Sequence, residues 1–128
     1  MKKMTEDNLK AAFAGESQAH MKYLNFAEKA RRENLPHIAR LFEATAYAEQ
    51  VHASNHLRAL GGIEDTVANL EEAKGGEDFE VDEMYPAYIA VAKEQGEDKA
   101  LRPMNWALEA EKLHSVLYQA ARTKAEAG

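Results

Sequence analysis

The chain has 128 residues, of which 45% are hydrophobic and 30% are charged, a profile typical of a globular domain with one core. Its net charge of −6 argues against nucleic acid as a partner. The absence of cysteine excludes disulfides and thiolate metal sites, and because no apolar run has the length of a membrane span or a signal-peptide core, we expect a cytoplasmic protein with no membrane partner.

Helix-forming residues dominate the chain, and β-branched residues are few. The first predicted helix begins near Thr5, a candidate N-cap, and ends before Pro36, because the residue before a proline disfavours helical geometry. Its apolar residues recur with the 3.6-residue period of an amphipathic helix, and Glu16 falls inside this stripe. The predicted inward-facing residues are Leu9, Ala12, Phe13, Ala19, Tyr23, Phe26, Ala27 and Ala30.

The second predicted helix runs from Pro36 to Leu60, where Gly61-Gly62 provides a stop signal. Its apolar stripe, continued at the same period, meets Glu49, His52 and His56. Residues 61 to about 75 are predicted to form a long crossover, with residues 66–73 as a candidate short helical piece. A long link is typical of a four-helix bundle whose second and third helices are parallel.

The third predicted helix covers residues 77–95, and Pro86 within it predicts a kink or an opened turn. Its predicted inward series is Glu77, Glu80, Met84, Tyr88 and Val91. Two further glutamates are therefore expected to face the interior of the bundle.

The fourth predicted helix begins with Asp98 as a candidate cap and continues to about Thr123, with its first turns distorted by Pro103. Glu111 and His114 lie on the apolar side of this helix. The predicted fold is therefore all-α, with four helices in one domain that spans residues 1–128.

The same short pattern, Glu-x-x-His, occurs at Glu49–His52 and at Glu111–His114. Residues three apart share one face of a helix, so each pair can hold a metal ion. Two such motifs, with further glutamates from the other two helices, form the iron and manganese carboxylate sites of helix bundles. The motifs lie 62 residues apart and Glu16 and Glu77 lie 61 apart, which predicts two equivalent halves around two metal ions.

A single glutamate on an apolar stripe is as often a boundary residue that reaches water as a ligand. Five glutamates and two histidines in one bundle are different, because without cations several carboxylates would have to bind protons. Tyr23 and Tyr85 are either core aromatics or hydrogen-bond donors to the carboxylates, and we favour the second interpretation. The remaining polar residues are interpreted as rim or surface (His20, His37) or solvated (Asp82, Glu83, Glu109). His56 follows His52 by one turn and is either a residue that supports the metal ligands or a structural histidine, and we favour the second interpretation.

In order and spacing, five stretches resemble the rubrerythrin family over roughly residues 5–121. They are Ala12-Phe13-Ala14-Gly15-Glu16-Ser17-Gln18-Ala19, Ala48-Glu49-Gln50-Val51-His52-Ala53, Gly76-Glu77-Asp78-Phe79-Glu80, Met84-Tyr85-Pro86 and Ala110-Glu111-Lys112-Leu113-His114. The resemblance implies a ferritin-like four-helix bundle that holds two iron ions, with zinc or manganese as alternative occupants of one or both sites.

The resemblance also implies a role for each matching residue. Glu49 and Glu111 would bridge the two irons, Glu16 would bind the first iron, and Glu77 with His114 would bind the second. His52 and Glu80 would be alternative ligands of the first iron, exchanged with its oxidation state. Tyr23 and Tyr85 would hydrogen-bond to the carboxylates, and together with His52 and Glu80 they are the expected catalytic residues.

The activity implied by the resemblance is the reduction of hydrogen peroxide to water. Full-length family members carry a rubredoxin domain with four iron-binding cysteines, which this cysteine-free sequence lacks. It therefore resembles the shorter, single-domain members, and its electrons are expected from a separate carrier, in a rubredoxin-linked or NAD(P)H-linked reaction. A homodimer is expected, and the long crossover would permit two chains to exchange helix pairs.

Two other functions stay open at this point. The protein is alternatively a ferritin-like protein that oxidises and binds ferrous iron, or a zinc-stapled helical bundle without turnover. Glu77 together with Glu80 gives a crowded site that retains its metal, which favours the reductase over the ferritin-like protein. Zinc would preserve the fold but has no redox chemistry.

Overall fold

The computed structural model describes residues 1–128, nearly all of which are helical. The elements are α1 (Lys3–Arg32), α2 (Pro36–Ala59), α3 (Thr66–Phe79), a π-helical turn (Glu80–Met84), α4 (Tyr85–Glu94) and α5 (Asp98–Ala127). The backbone stays helical at both joints of the π-helical turn, so α3, the turn and α4 form one continuous rod. The chain therefore has four helical rods and no strand, which confirms the all-α prediction.

No helix in the chain combines the length and the apolar character that crossing a lipid bilayer requires.

The chain divides into two compact units, Met1–Ile63 and Glu64–Gly128. In the first unit α1 packs along α2, and in the second α5 packs against α3, the π-helical turn and α4. Each unit is thus a pair of helical rods joined by a short turn, an arrangement that makes the two rods antiparallel.

Three helices end in the same kind of turn, in which one residue with positive φ follows the C-cap. These residues are Asn34 (φ 60°), Gly61 (φ 68°) and Gly96 (φ 69°). After Gly61, the amide of Gly62 donates to the carbonyl of Leu57 at 3.0 Å, the bond that defines a Schellman motif. The predicted stops at Gly61-Gly62 and Gly96 are confirmed, whereas α1 is closed by Asn34, one of the few residues besides glycine that tolerate this conformation.

The extent of the predicted crossover is wrong, because α3 begins at Thr66 and the link comprises only residues 60–65. The side chain of Asp65 accepts a hydrogen bond from the amide of Ala68 at 2.9 Å, and this N-cap fixes the start of the helix. The cap residue Asp65 is a start signal that places the helix start eleven residues earlier than the predicted start at residue 77.

Gly75 and Gly76 do not end the helix, although each costs about 1 kcal/mol relative to alanine in a helix interior. Lys74 and Asp78 form an ion pair across the two glycines. Asp78 also accepts a hydrogen bond from Ser115 on α5. These contacts, together with packing on α5, offset the poor helix propensity of the pair.

The irregularity expected near Pro86 is confirmed, and it takes the form of the π-helical turn that ends two residues before the proline. The amide of Tyr85 donates to the carbonyl of Glu80, five residues earlier. Proline lacks the amide hydrogen that a regular helix needs, so the wider turn accommodates the break in the hydrogen-bond ladder. By contrast, α5 continues through Pro103 without a break.

Two predicted N-caps are wrong. Helix α1 begins at Lys3, so that Thr5 lies inside its first turn, and Asp98 is the first helical residue of α5 with Glu97 as its cap. An acidic residue in the first turn interacts favourably with the helix dipole without capping it. Helix α5 also runs beyond the predicted end at Thr123, as far as Ala127.

The buried core consists of six alanines and Ile89. Three of them, Ala39, Ala46 and Ala53, are spaced seven residues apart on α2, which lets α1 approach closely. Of the stripe predicted for α1, only Ala27 and Ala30 are buried, while Phe26 keeps 46% of its surface exposed. Two packed helices cover only their contact line, so larger flanking side chains in each unit remain accessible.

Candidate metal centre

Half-site one lies in the first unit and consists of Glu16 from α1 with Glu49 and His52 from α2. His52 Nδ1 lies 3.5 Å from Glu16 Oε1 and 3.4 Å from Glu49 Oε2. One ligand atom from each residue lies within 4.8 Å of the others. The first Glu-x-x-His motif and the glutamate of the opposite helix therefore meet as the sequence predicts.

Half-site two has the same composition in the second unit, with Glu77 from α3 and Glu111 and His114 from α5. His114 Nδ1 lies 3.4 Å from Glu77 Oε1 and 3.7 Å from Glu111 Oε2. In both half-sites the carboxylates are largely covered, whereas the imidazoles are about half exposed. The internal repeat in the sequence is therefore also a repeat of side-chain geometry.

Glu80 begins the π-helical turn and lies next to half-site two. Burial raises the pKa of its carboxyl group, and so do the negative charge of Glu77 and a hydrogen bond shared with Glu77, while His114 acts in the opposite direction. A proton shared between two carboxyl groups is the expected response to like charges at close range. A cation at this position would replace that proton.

Each half-site contains one buried carboxylate oxygen with no hydrogen-bond donor, namely Glu16 Oε2 and Glu77 Oε2. A buried acceptor without a partner is costly unless something else satisfies it. Carboxylate oxygen and imidazole nitrogen are together the donors that iron, manganese and zinc take in proteins. The residues present therefore fit two divalent metal ions.

The two predicted tyrosines occupy different surroundings. The ring of Tyr23 packs against Phe26 and Phe42, with centroids 6.2 Å and 6.1 Å away. Tyr85 is partly buried at the junction between the π-helical turn and α4. The structure shows no hydrogen bond from either hydroxyl to a carboxylate, so that role stays a prediction.

The other candidate polar residues lie outside the two half-sites. His20 Nδ1 lies 2.7 Å from the carbonyl oxygen of Ala46 and so links α1 to α2. His37 is exposed beside Arg40, and Glu109 is exposed in an ion pair with Lys112 at 3.0 Å. Asp82 and Glu83 are exposed as well.

His56 lies closer to half-site one than its interpretation as a structural histidine implies. Its Nε2 atom is 2.8 Å from Glu16 Oε2, one of the two buried oxygens without a donor. The sequence indicates that His56 lies near the half-site, because it follows His52 by four residues and therefore occupies the same face of α2.

A family model described as Rubrerythrin matches residues 7–122 of the chain. Rubrerythrin-2 of Clostridium acetobutylicum is 42% identical over 137 aligned residues, which cover 96% of this chain and 74% of that protein. Nigerythrin of Nitratidesulfovibrio vulgaris is 42% identical over 131 aligned residues, which cover 91% of this chain and 65% of that protein. The chain thus spans about two thirds to three quarters of the length of these relatives.

Solved structures give a weaker likeness. A structure of nigerythrin described as fully reduced and all ferrous matches 97% of this chain and 68% of its own chain, with 39% sequence identity and a TM-score of 0.49.

Proposed function

This chain belongs to the rubrerythrin family, whose members hold a pair of iron ions, and we propose that it is a non-haem diiron peroxidase. It would reduce hydrogen peroxide to water with electrons from an external donor. The observation that carries this proposal is the pair of equivalent half-sites, each with two carboxylates, one imidazole and a buried oxygen without a donor.

The proposed metal ligands are the six residues of the two half-sites together with Glu80. Glu49 and Glu111 would bridge the two iron ions, Glu16 would bind the first, and Glu77 with His114 would bind the second. Bound as a ferrous pair, iron would supply the two electrons that reduce one molecule of peroxide. The largely covered carboxylates would keep most of the surrounding water away from that pair.

His52 and Glu80 are proposed to exchange as ligands of the first iron when the pair changes its oxidation state. Neutral imidazole is an adequate ligand for the ferrous pair, whereas higher positive charge favours an anionic oxygen donor. The exposed position of His52, 51% accessible at its side chain, supports this role because the ring has room to leave. Crystal structures of the reduced and the peroxide-treated protein, from one preparation, test this exchange. The first iron should be bound by His52 in the reduced protein and by Glu80 after treatment with peroxide.

Tyr23 and Tyr85 are proposed to donate hydrogen bonds to the ligand carboxylates once metal is bound. Because the 128 residues contain no cysteine, electrons would reach the centre from a group outside this sequence, such as rubredoxin or an NAD(P)H-linked carrier. We place this reaction in the cytoplasm, and we treat residues 1–128 as one functional domain.

We further propose that the protein works as a homodimer. Both units leave large apolar side chains uncovered, including Leu41 (61% exposed) in the first unit and Trp106 (69%) in the second. Large apolar side chains that stay exposed in number favour an interaction site on each unit. Exchange of helix pairs between two chains is one form that such a dimer takes.

Metal content and reactivity test the proposal together. The wild-type protein should hold about two iron ions per chain, Glu111→Ala should lose most of both, and the matched control Glu83→Ala should lose neither. The anaerobic ferrous protein, mixed with either oxidant in stopped flow, should react faster with peroxide than with dioxygen, and turnover should need an added reductant. Equal iron content in the two variants would contradict the ligand assignment.

The same measurements separate the peroxidase from the two alternative functions. Faster reaction with dioxygen, with iron accumulating well beyond two per chain, would indicate ferritin-like iron storage. Two zinc ions in protein from its native host, with no turnover, would indicate a zinc-stapled bundle. The crowding of half-site two by Glu80 favours retention of bound metal and therefore the peroxidase.

A further inference from the structure

We infer that His56 is an additional nitrogen ligand of the metal ion in half-site one, where it would bind beside Glu16. This inference rests on the proposed metal centre, but it adds a donor outside the seven ligands assigned above. The main evidence for it is the contact of 2.8 Å between His56 Nε2 and Glu16 Oε2.

The contact is short, yet it is not aligned as a hydrogen bond. Glu16 Oε2 remains without a donor although the imidazole nitrogen lies next to it. Two atoms that bind one cation have this relationship, because each directs its lone pair at the ion and neither points at the other. With metal–ligand bonds of about 2.1 Å, neighbouring donors lie roughly 3 Å apart.

The surrounding contacts extend this pair into a continuous set of donors. His56 contacts Glu16, Glu16 lies 3.5 Å from His52, and His52 lies 3.4 Å from Glu49. His56 is also better covered than His52, with 29% of its side chain exposed against 51%. All four residues belong to α1 and α2, so the first unit alone supplies two carboxylates and two imidazoles.

Half-site two has no counterpart to the additional histidine. The offset of 62 residues that relates His52 to His114 places Tyr118 at the position of His56. The second unit instead has Glu80 beside Glu77. The surroundings of the two half-sites therefore differ, with an additional imidazole in the first and the carboxyl group of Glu80 beside the second. Imidazole is a donor that suits zinc and ferrous iron.

Nitrogen-15 NMR of the histidine side chains tests the inference without any measure of activity. The full-length protein is labelled, stripped of metal and titrated with zinc ion alone. We expect Nε2 of His56 to show the shift of a metal-bound nitrogen along with His52 and His114, while His20 and His37 keep their shifts.

Variants give a second readout. His56→Leu should weaken binding of the zinc ion in half-site one by at least about tenfold, the size of effect that even the loss of a residue supporting a ligand produces. The matched control His37→Leu, on the same helix, should bind zinc as the wild type does. Circular dichroism confirms that each variant is folded, and the NMR titration of the wild type decides the question if His56→Leu is not.

The outcomes separate this inference from the proposed function. If His52 and His114 take up zinc while His56 keeps the shift of a free imidazole, His56 is not a ligand and the proposed centre stands. If none of the three responds to zinc, the metal centre itself is wrong, and the inference fails with it.

Discussion

Glu80 experiences an unfavourable environment in the metal-free protein. Its pKa is raised by burial and by the charge of Glu77, so the folded state binds this proton more tightly than the unfolded state does. The carboxyl group therefore does not reduce stability below the unfolded pKa, near 4.5. It reduces stability progressively as the pH rises through the higher folded pKa.

A neutral residue at this position should remove that cost. We predict that metal-free Glu80→Gln is more stable than the wild type at pH 7, and that the difference disappears as the pH falls below about 4.5. Urea unfolding across this pH range measures the effect, with Glu83→Gln as an exposed control. Bound metal should reverse the order, because the variant loses a ligand; a lower stability of the metal-free variant at pH 7 would contradict the assignment of Glu80.

The residues that the sequence identifies most securely are those fixed by helical spacing. Glu49 with His52 and Glu111 with His114 meet because three residues nearly complete one helical turn, and Glu16 and Glu77 reach them from the opposite helix of each unit. The contact of His56 with Glu16 has the same spacing on its own helix. However, one turn of distance from His52 does not reveal which atom on the facing helix it will meet.

At the scale of the element, α3 is stabilised by a contact with α5 that cannot be predicted from the sequence of α3 alone. The hydrogen bonds from Lys74 and Ser115 lower the pKa of Asp78, so the ionised carboxylate ties the glycine-containing turn to α5. Glycine pairs predict helix ends from local propensity, and this tertiary contact overrides the prediction. The starts of α1 and α5 deviate for a local reason instead, since side chains that suit a cap also suit the first turn.

Asp78→Asn tests this role of the ion pair. A lowered pKa means that the carboxylate stabilises the fold above the unfolded pKa, near 3.8, and that this contribution is lost as the pH falls through the folded pKa. The melting temperature of the variant should therefore be lower than that of the wild type at pH 7 and approach it in acid. Asp82→Asn, at an exposed position of the same unit, should show no such dependence on pH.

At the scale of the whole molecule, the core is made mostly of alanines, and many larger apolar side chains stay exposed. Trp106 is the single tryptophan of the chain and is 69% exposed, which makes it a reporter of association. We predict that its fluorescence emission is blue-shifted and protected from acrylamide at high protein concentration. On dilution the emission should shift to the red as the dimer dissociates, with sedimentation velocity as the parallel measurement.

Protection that does not change with concentration would place the cover of Trp106 within one chain and contradict a role for it in the dimer. Val116 and Gln119 on the same helix provide matched variants, since Val116 is 66% exposed and apolar and Gln119 is exposed and polar. Val116→Lys should increase the monomer fraction, whereas Gln119→Lys should leave it unchanged.

The π-helical turn also has a consequence for the ancestry of the chain. Glu16 and Glu77, before the turn, are 61 residues apart, whereas Tyr23 and Tyr85 are separated by 62, as are the later motif residues. A duplicated helix pair that gained one residue within Glu80–Met84 accounts for both numbers, because a π-helical turn is an α-helix with one inserted residue. In this account the inserted residue lies within the turn that begins at Glu80, and the residue that corresponds to Glu80 in the first half is Ala19.

This history predicts that the extra residue can be removed again. Deleting Asp82 should restore a regular helix with α4 still facing α5, and the variant should keep its helicity and its cooperative unfolding. Deleting Ala90 from the regular helix α4 should instead rotate every later residue of that helix by about 100° and abolish cooperative unfolding. Circular dichroism and thermal melts compare the two deletions, and equal damage from both would argue against an inserted residue.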